Sequence, residues 1–310
     1  MQEWRAVELP GRGLTYACDV AGPSKGAPVL LLLHGWLATG VLNWGPTLEP
    51  LSHHFRVVAV DHRGHGRGIR GEDRFSLEHC ADDVVALADV LGIKRFIPVG
   101  YSMGGPIAQL VWRRHPDRVD GLVLCSTFAD LHVAALQRLV LSTVDLSADG
   151  LGAAVRLVPG PLREQMLDAF VGRLSGLGLG ELVAELRTHD PRAIRDAARA
   201  IGEFSSTAWL GEIEVPAAVV ITARDMVVPP ARQRVLAAGI PDSHTVTLDA
   251  DHGVCVTRPD QFAAAVLEAC LVVAGDPRYG YRRWRRRLAT LLTTTRARPG
   301  RRVRRPAEAA

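Results

Sequence analysis

Short runs of consecutive apolar residues alternate with longer stretches of helical periodicity along most of this chain. The strand candidates, apolar at most positions, are residues 29–33 (Val-Leu-Leu-Leu-Leu), 56–60, 96–99, 122–126, 217–222 and, alternating with threonine, 245–248, and residues 14–20 read as a further strand. Runs that are apolar at nearly every position suit strands buried on both faces, as in a parallel sheet covered by helices. Residues 5–9 and 14–20 predict a hairpin through Pro10-Gly11-Arg12-Gly13. Between strands, residues 76–91 place Leu77, Cys80, Val84, Leu87 and Leu91 on one helical face, with Asp82, Asp83 and Asp89 elsewhere. Gly92 then suits the left-handed position that ends a helix. Residues 104–114 and 261–273 read as helices by the same reasoning. The pattern is an α/β fold, a mostly parallel central sheet with helices on both faces.

The alternation breaks after residue 126. From residue 130 to about 206 only helical segments follow (131–141, 162–174, 181–188, 191–204), punctuated by Pro159-Gly160-Pro161, Gly176, Gly178 and Gly180. The expected organisation is therefore a core of residues 1–127 and 209–276, an inserted helical cap at 128–208, and a basic C-terminal tail at 277–310 that is partly disordered. An insertion above the carboxyl ends of strands is placed to roof a site. The glycines at 176, 178 and 180 follow no strand and lack dinucleotide-loop spacing, so they read as helix joints.

Composition changes this picture in two places. The chain has 310 residues, 47% apolar and 23% charged, an ordinary globular balance. Its net charge of +4 conceals a division: residues 277–310 hold twelve arginines and one acid, giving +11, and the rest carries −7. In the tail, Tyr281, Trp284, Leu288, Leu291 and Leu292 share a helical face bordered by arginines. Such a helix suits an anionic membrane surface, and a solvated extension is the alternative. Nothing in it specifies a nucleic-acid sequence or fold. Second, the five cysteines (18, 80, 125, 255, 270) form no CxxC pair and lie mostly in apolar runs, so they read as reduced core residues of a cytoplasmic protein. The N-terminal segment lacks the apolar core of a secretion signal, and no apolar run is long enough to span a bilayer.

The candidate chemistry lies where apolar runs end. Gly100-Tyr101-Ser102-Met103-Gly104-Gly105 joins a strand to a helix, and its small residues allow a turn sharp enough to expose the serine hydroxyl. A side chain at Gly100 or Gly104 is expected to collide across that turn. His252, in Asp251-His252-Gly253 beyond the last strand, is the candidate base. His62 and His65 lie at the same sheet edge and remain weaker candidates for that role. Asp225, after the strand at 217–222, is the candidate acid, with Asp130 as its rival. The order Ser102, Asp225, His252 is that of strand-to-helix serine nucleophiles with their partners. The backbone N–H groups of Trp36, in His34-Gly35-Trp36, and of Met103 would form an oxyanion hole, leaving the Trp36 side chain free to line the pocket. The two histidines of the 61–68 segment invite a metal hypothesis, but no third ligand is evident, and a turn-shaping role fits better.

With these residues the chain resembles the serine-nucleophile members of the α/β-hydrolase superfamily. The likeness covers residues 1–276 through the HGW segment, Asp61-His62-Arg63-Gly64-His65-Gly66, the GYSMGG turn and the Asp225 and His252 loops. The resemblance implies an eight-stranded sheet with a helical cap between strands six and seven. Fold membership alone does not choose an activity; with the candidate residues, the expectation is a cofactor-free, metal-free hydrolase cleaving carboxylic esters with an apolar moiety through an acyl-enzyme at Ser102. Superfamily members that use aspartate as nucleophile, such as haloalkane dehalogenases and epoxide hydrolases, differ at that position. Carbon–carbon bond hydrolases, thioesterases and ligand-binding receptors share the scaffold and stay open as alternatives.

Overall fold

The strands β3 (Val29–Leu33) and β4 (Arg56–Val60) show why they are apolar at nearly every position. Leu31, Leu33, Val58 and Val60 enter a core on one side of the sheet, and Leu30, Leu32, Val57 and Ala59 enter the core on the other. The computed structural model describes residues 3–71, 74–131 and 188–275. The remaining strands are β1 (Trp4–Leu9), β2 (Gly13–Val20), β5 (Ile97–Tyr101), β6 (Leu122–Cys125), β7 (Ala217–Thr222) and β8 (His244–Leu248). They form one eight-stranded sheet in the order β1-β2-β4-β3-β5-β6-β7-β8. The β1/β2 and β2/β4 pairs are antiparallel and every other pair is parallel.

Helices α1 (Gly40–Ser52), α2 (Leu77–Val90), α3 (Gly104–Arg114), α4 (Pro191–Glu203), α5 (Pro230–Gly239), α6 (Val254–Thr257) and α7 (Pro259–Val273) cover the sheet. The α2 and α3 helices bury Leu77, Val84, Ile107 and Val111 in the first core, and α1 and α7 bury Trp44, Leu48, Phe262 and Val266 in the second. Ser76 caps α2, its hydroxyl accepting from the His79 N–H at 3.1 Å.

The sheet departs from the apolar pattern at one instructive place. β5 runs on through Gly100 and Tyr101, with Gly100 opposite Leu33 and Tyr101 opposite Cys125, so the turn begins only at Ser102. Two helices, α1 and α5, carry weak sequence signals. α1 contains Pro46 and Pro50 and is secured by Thr39, whose side chain accepts from Leu42 N–H at 3.2 Å, and by the buried faces of Trp44, Leu48 and Leu51. α5 buries only Gln233 and Leu236.

Strands β6 and β7 are parallel neighbours, although the whole stretch from Ser126 to Pro216 separates them in the chain. α4 is the described helix of that stretch. The expected helices at 131–141, 162–174 and 181–188 lie outside the described residues apart from their outer ends, as does the tail at 277–310. All five cysteines are buried and free. Among the described residues, no helix is long and apolar enough to cross a membrane.

Candidate active site

The sheet order reverses between β3 and β5, since the chain leaves β3 toward β4 and returns to the other side of β3 at β5. Ligands of open α/β sheets bind outside the strand carboxyl ends at such a reversal. Ser102 lies just beyond β5 and Gly35-Trp36 just beyond β3. Ser102 adopts φ +52°, a left-handed conformation that costs an ordinary side chain about 1–3 kcal/mol. Its N–H donates to Cys125 O at 3.0 Å, and its carbonyl accepts from Thr127 Oγ1 at 2.7 Å and Gly105 N–H at 2.9 Å. A Cβ on Gly100 would lie 2.2 Å from Gly104 O, the collision across the turn that the sequence suggests. A Cβ on Gly104 would instead strike Leu33 O of β3, at 2.1 Å.

Loops from two further strands complete the array. His252, beyond β8, has Nε2 3.0 Å from Ser102 Oγ and Nδ1 2.7 Å from Asp225 Oδ2. An ionised carboxylate only accepts, so this network assigns the imidazole proton to Nδ1 and leaves Nε2 to accept from the serine hydroxyl. The Asp225 side chain is fully buried. Its Oδ1 accepts from Val227 N–H at 2.9 Å and Val228 N–H at 2.8 Å, and its Oδ2 also accepts from Thr222 Oγ1 at 2.8 Å and Gln233 Nε2 at 3.2 Å. Asp130, the rival acid, is paired with Arg232 at 2.8 Å. His244 sits at the far end of β8, 3.5 Å from Glu268.

Sequence reasoning overlooked three supporting side chains. Tyr101 donates its hydroxyl to the His252 carbonyl, tying the end of β5 to the histidine loop. Burial pushes the Tyr101 hydroxyl well above the usual tyrosine range, so it stays a donor. Thr222 and Gln233, both wholly buried, hold Asp225. The available signal was polarity out of place: a threonine ending a buried strand and a glutamine on the inner face of α5.

The β3 loop approaches the serine closely. A Cβ on Gly35 would lie 3.2 Å from Ser102 Cβ, and Gly35 N–H is held by Asn43 Oδ1 at 2.8 Å. Neither the Trp36 nor the Met103 backbone N–H has an acceptor among the described residues. The Trp36 side chain is not simply a pocket wall: its indole N–H donates to Ile194 O of α4 at 3.1 Å. His34 supports the loop from below, with Nδ1 2.8 Å from Gly35 O and Nε2 accepting from His62 N–H at 2.9 Å.

His62 and His65 lie in a buried cluster with His34 and His189 and take no part in the Ser102 array. Ring centroids are 4.4 Å apart for His34 and His62, 5.4 Å for His34 and His65, and 5.3 Å for His65 and His189. The 61–68 segment shapes a turn: Asp61 accepts from Gly40 N–H at 2.8 Å and Arg67 N–H at 2.9 Å, and Gly66 N–H donates to His189 Nδ1 at 2.8 Å. Among the described residues, no three His, Cys, Asp or Glu side chains form a metal-holding group.

This cluster predicts acid lability. Burial holds all four imidazoles below their usual pKa, His34 down to about 3 and His62 and His65 well below. An unfolded imidazole takes a proton below about pH 6.5, whereas these four remain neutral in the fold until lower pH. Their contribution to stability is therefore intact above about pH 6.5 and declines as pH falls toward 3. Each imidazole removes up to about 1.4 kcal/mol per pH unit in that window. Asp61, raised by burial, acts in the opposite sense. Urea unfolding at pH 7.5, 6.5 and 5.5 should show the midpoint dropping steeply only between the last two. A flat profile would contradict the neutral cluster.

Comparison with known proteins agrees with this architecture. The profile described as the alpha/beta hydrolase fold matches residues 28–259. The chain belongs to the α/β-hydrolase family. Among its α/β-hydrolase relatives, a protein of Caulobacter sp. (strain K31) named as the carbamate hydrolase RutD is 33% identical over 260 residues, 79% of this chain and 91% of that one. The pimeloyl-[acyl-carrier protein] methyl ester esterase of Chromobacterium violaceum is 32% identical over 251 residues, 78% of this chain and 93% of that one. The crystal structure of the enol-lactonase from Burkholderia xenovorans LB400 superposes with a TM-score of 0.71 at 25% identity, covering 86% of this chain and 99% of that one. Family and relatives together support a hydrolase.

Proposed function

We propose that this α/β hydrolase is a serine esterase that cleaves carboxylic esters through an acyl-enzyme at Ser102. The observation that carries the reading is the continuous chain from Ser102 Oγ through His252 to buried Asp225, with bonds of 3.0 and 2.7 Å. In this reading Ser102 Oγ attacks the ester carbonyl while His252 Nε2 takes its proton, and Asp225 holds the resulting imidazolium. The Trp36 and Met103 N–H groups hold the tetrahedral oxyanion. His252 then protonates the departing alcohol, and a water activated by the same nitrogen releases the acid. The methyl ester and lactone named for two relatives fit this chemistry.

A carbamate, named for the Caulobacter relative, offers the same carbonyl to the same array and is the second reading. A fluorophosphonate probe should label Ser102 alone, and a matched series of aryl esters and aryl carbamates then separates the two. Ester turnover with a burst of released alcohol supports the first reading, and carbamate-selective turnover supports the second. Labelling elsewhere contradicts both.

Residues 128–208 are read as an inserted cap roofing this site. The support is α4, whose Ile194 carbonyl receives the Trp36 indole and whose approach is fixed by Asp190 N–H donating to Gly64 O at 2.8 Å. On sequence grounds alone, the 277–310 tail is read as a contact for anionic membrane surfaces. Deleting it changes the net charge from +4 to −7. We expect vesicle association to fall sharply on deletion, and to fall with salt in the full chain because attraction is screened over ~8 Å at physiological ionic strength. Soluble-ester turnover should change little. Full-length protein that ignores phosphatidylserine vesicles at low salt would favour the solvated extension.

A further inference from the structure

Gln233 is the most unusual polar residue in the described fold. It lies in the first turn of α5 with no exposure, where burying a primary amide is costly unless every polar atom is paired. Each atom is paired. Oε1 accepts from Thr222 N–H at 2.9 Å, which fixes the orientation of the amide. Nε2 therefore faces Val228 O at 2.8 Å, Thr222 Oγ1 at 2.9 Å and Asp225 Oδ2 at 3.2 Å. A flipped amide would set a donor against Thr222 N–H and an acceptor against a carbonyl and a carboxylate.

Direction follows from this pairing. Thr222 Oγ1 accepts a hydrogen bond from Gln233 Nε2 and so directs its own hydroxyl hydrogen to Asp225 Oδ2, at 2.8 Å. That is the oxygen that faces His252 Nδ1. Val228 is held at both ends, its carbonyl by Gln233 and its N–H by Asp225 Oδ1. Nε2 has two hydrogens, and its two shortest contacts, to Val228 O and Thr222 Oγ1, take them, leaving the 3.2 Å approach to Asp225 Oδ2 as a shared contact. We propose that Gln233 is a positioning residue, whose amide fixes the Asp225 carboxylate through Thr222 and Val228 so that Oδ2 meets the His252 ring. The proposal rests on the serine-hydrolase reading. Gln233 touches no reacting atom and acts through Asp225 alone.

The test is a double-mutant cycle in the full chain, assayed on a soluble aryl ester with thermal midpoints recorded alongside. Gln233→Leu and Gln233→Glu should each lower kcat on the order of 10²-fold, the scale of a misplaced catalytic group, with KM within about threefold. The Glu variant keeps the side-chain volume but puts an acceptor where Nε2 was, so it carries the test if the Leu variant fails to fold. In an Asp225→Asn background, either substitution should cost about threefold or less, because the carboxylate it positions is gone. Equal losses in both backgrounds would mark a purely structural residue and overturn the proposal, as would wild-type kcat in the single variants. Undiminished turnover in Ser102→Ala would remove the serine-hydrolase reading itself. An inactive Ser102→Ala beside fully active Gln233 variants would remove only this inference.

Discussion

Ser102→Ala is expected to lose on the order of 10⁶ in ester turnover while keeping its fold. The size of the loss follows from the array acting as a unit, so that without the hydroxyl neither His252 nor Asp225 retains a role in attack. The fold should survive because the change removes one oxygen from a turn held by other atoms. Ser102 N–H and C=O are bound by Cys125, Thr127 and Gly105, and none of those bonds uses Oγ. Alanine meets the same φ of +52° as serine, so the backbone strain is unchanged. Turnover, fluorophosphonate labelling and thermal unfolding measured together decide the matter. Residual activity near wild type, or labelling that persists in the variant, would mean that another residue is the nucleophile.

Much of the sheet was legible because parallel strands covered on both sides need apolar residues at every position. β3, β4 and β7 occupy the very residues of the expected strands, apolar throughout except for Arg56 and Thr222. The first hairpin was legible from its glycines. α1 was not, because its two prolines and two glycines argue against a helix, and the Thr39 cap with the burial of Trp44, Leu48 and Leu51 secures it. The candidate site residues were visible for a related reason: Ser102, Asp225 and His252 each stand shortly after an expected strand, which delivers its next residues to the sheet edge. Asp130 stands in the same kind of place, and position alone does not separate it from Asp225.

The separation comes from α5, which binds each acid with adjacent residues. Arg232 takes Asp130 as an ion pair, and Gln233 donates to Asp225. A cation neutralises the acid kept away from the histidine, and a neutral amide supports the acid that meets it. That choice was hidden in a helix whose only buried residues are Gln233 and Leu236, too few to give a periodic signal. Three-dimensional pairing also explains the histidines at 62 and 65. Their spacing invited a metal hypothesis and their place at the sheet edge a weaker base candidacy beside the preferred turn-shaping role, and they pack with His34 and His189 next to the Gly35-Trp36 loop.

Asp225→Asn is expected to lower turnover by roughly 10⁴, and the hydrogen bonds around the carboxylate say why. Oδ1 accepts two backbone N–H groups, from Val227 and Val228, so that corner of the side chain must remain an acceptor. Asparagine satisfies this by placing its carbonyl oxygen there, which turns its amide toward His252. The amide then donates to Nδ1, and the ring must carry its proton on Nε2 instead. A protonated Nε2 faces Ser102 Oγ as a donor and has no lone pair to receive the serine proton. The same amide would oppose Gln233 Nε2, now 3.2 Å from Asp225 Oδ2, so some loss of thermal stability should accompany the kinetic one. Asp130→Asn serves as the control: its acid is paired with Arg232, and its removal should leave turnover within a few fold of wild type. If the two results exchanged places, with Asp225→Asn active and Asp130→Asn silent, the orienting acid would be Asp130.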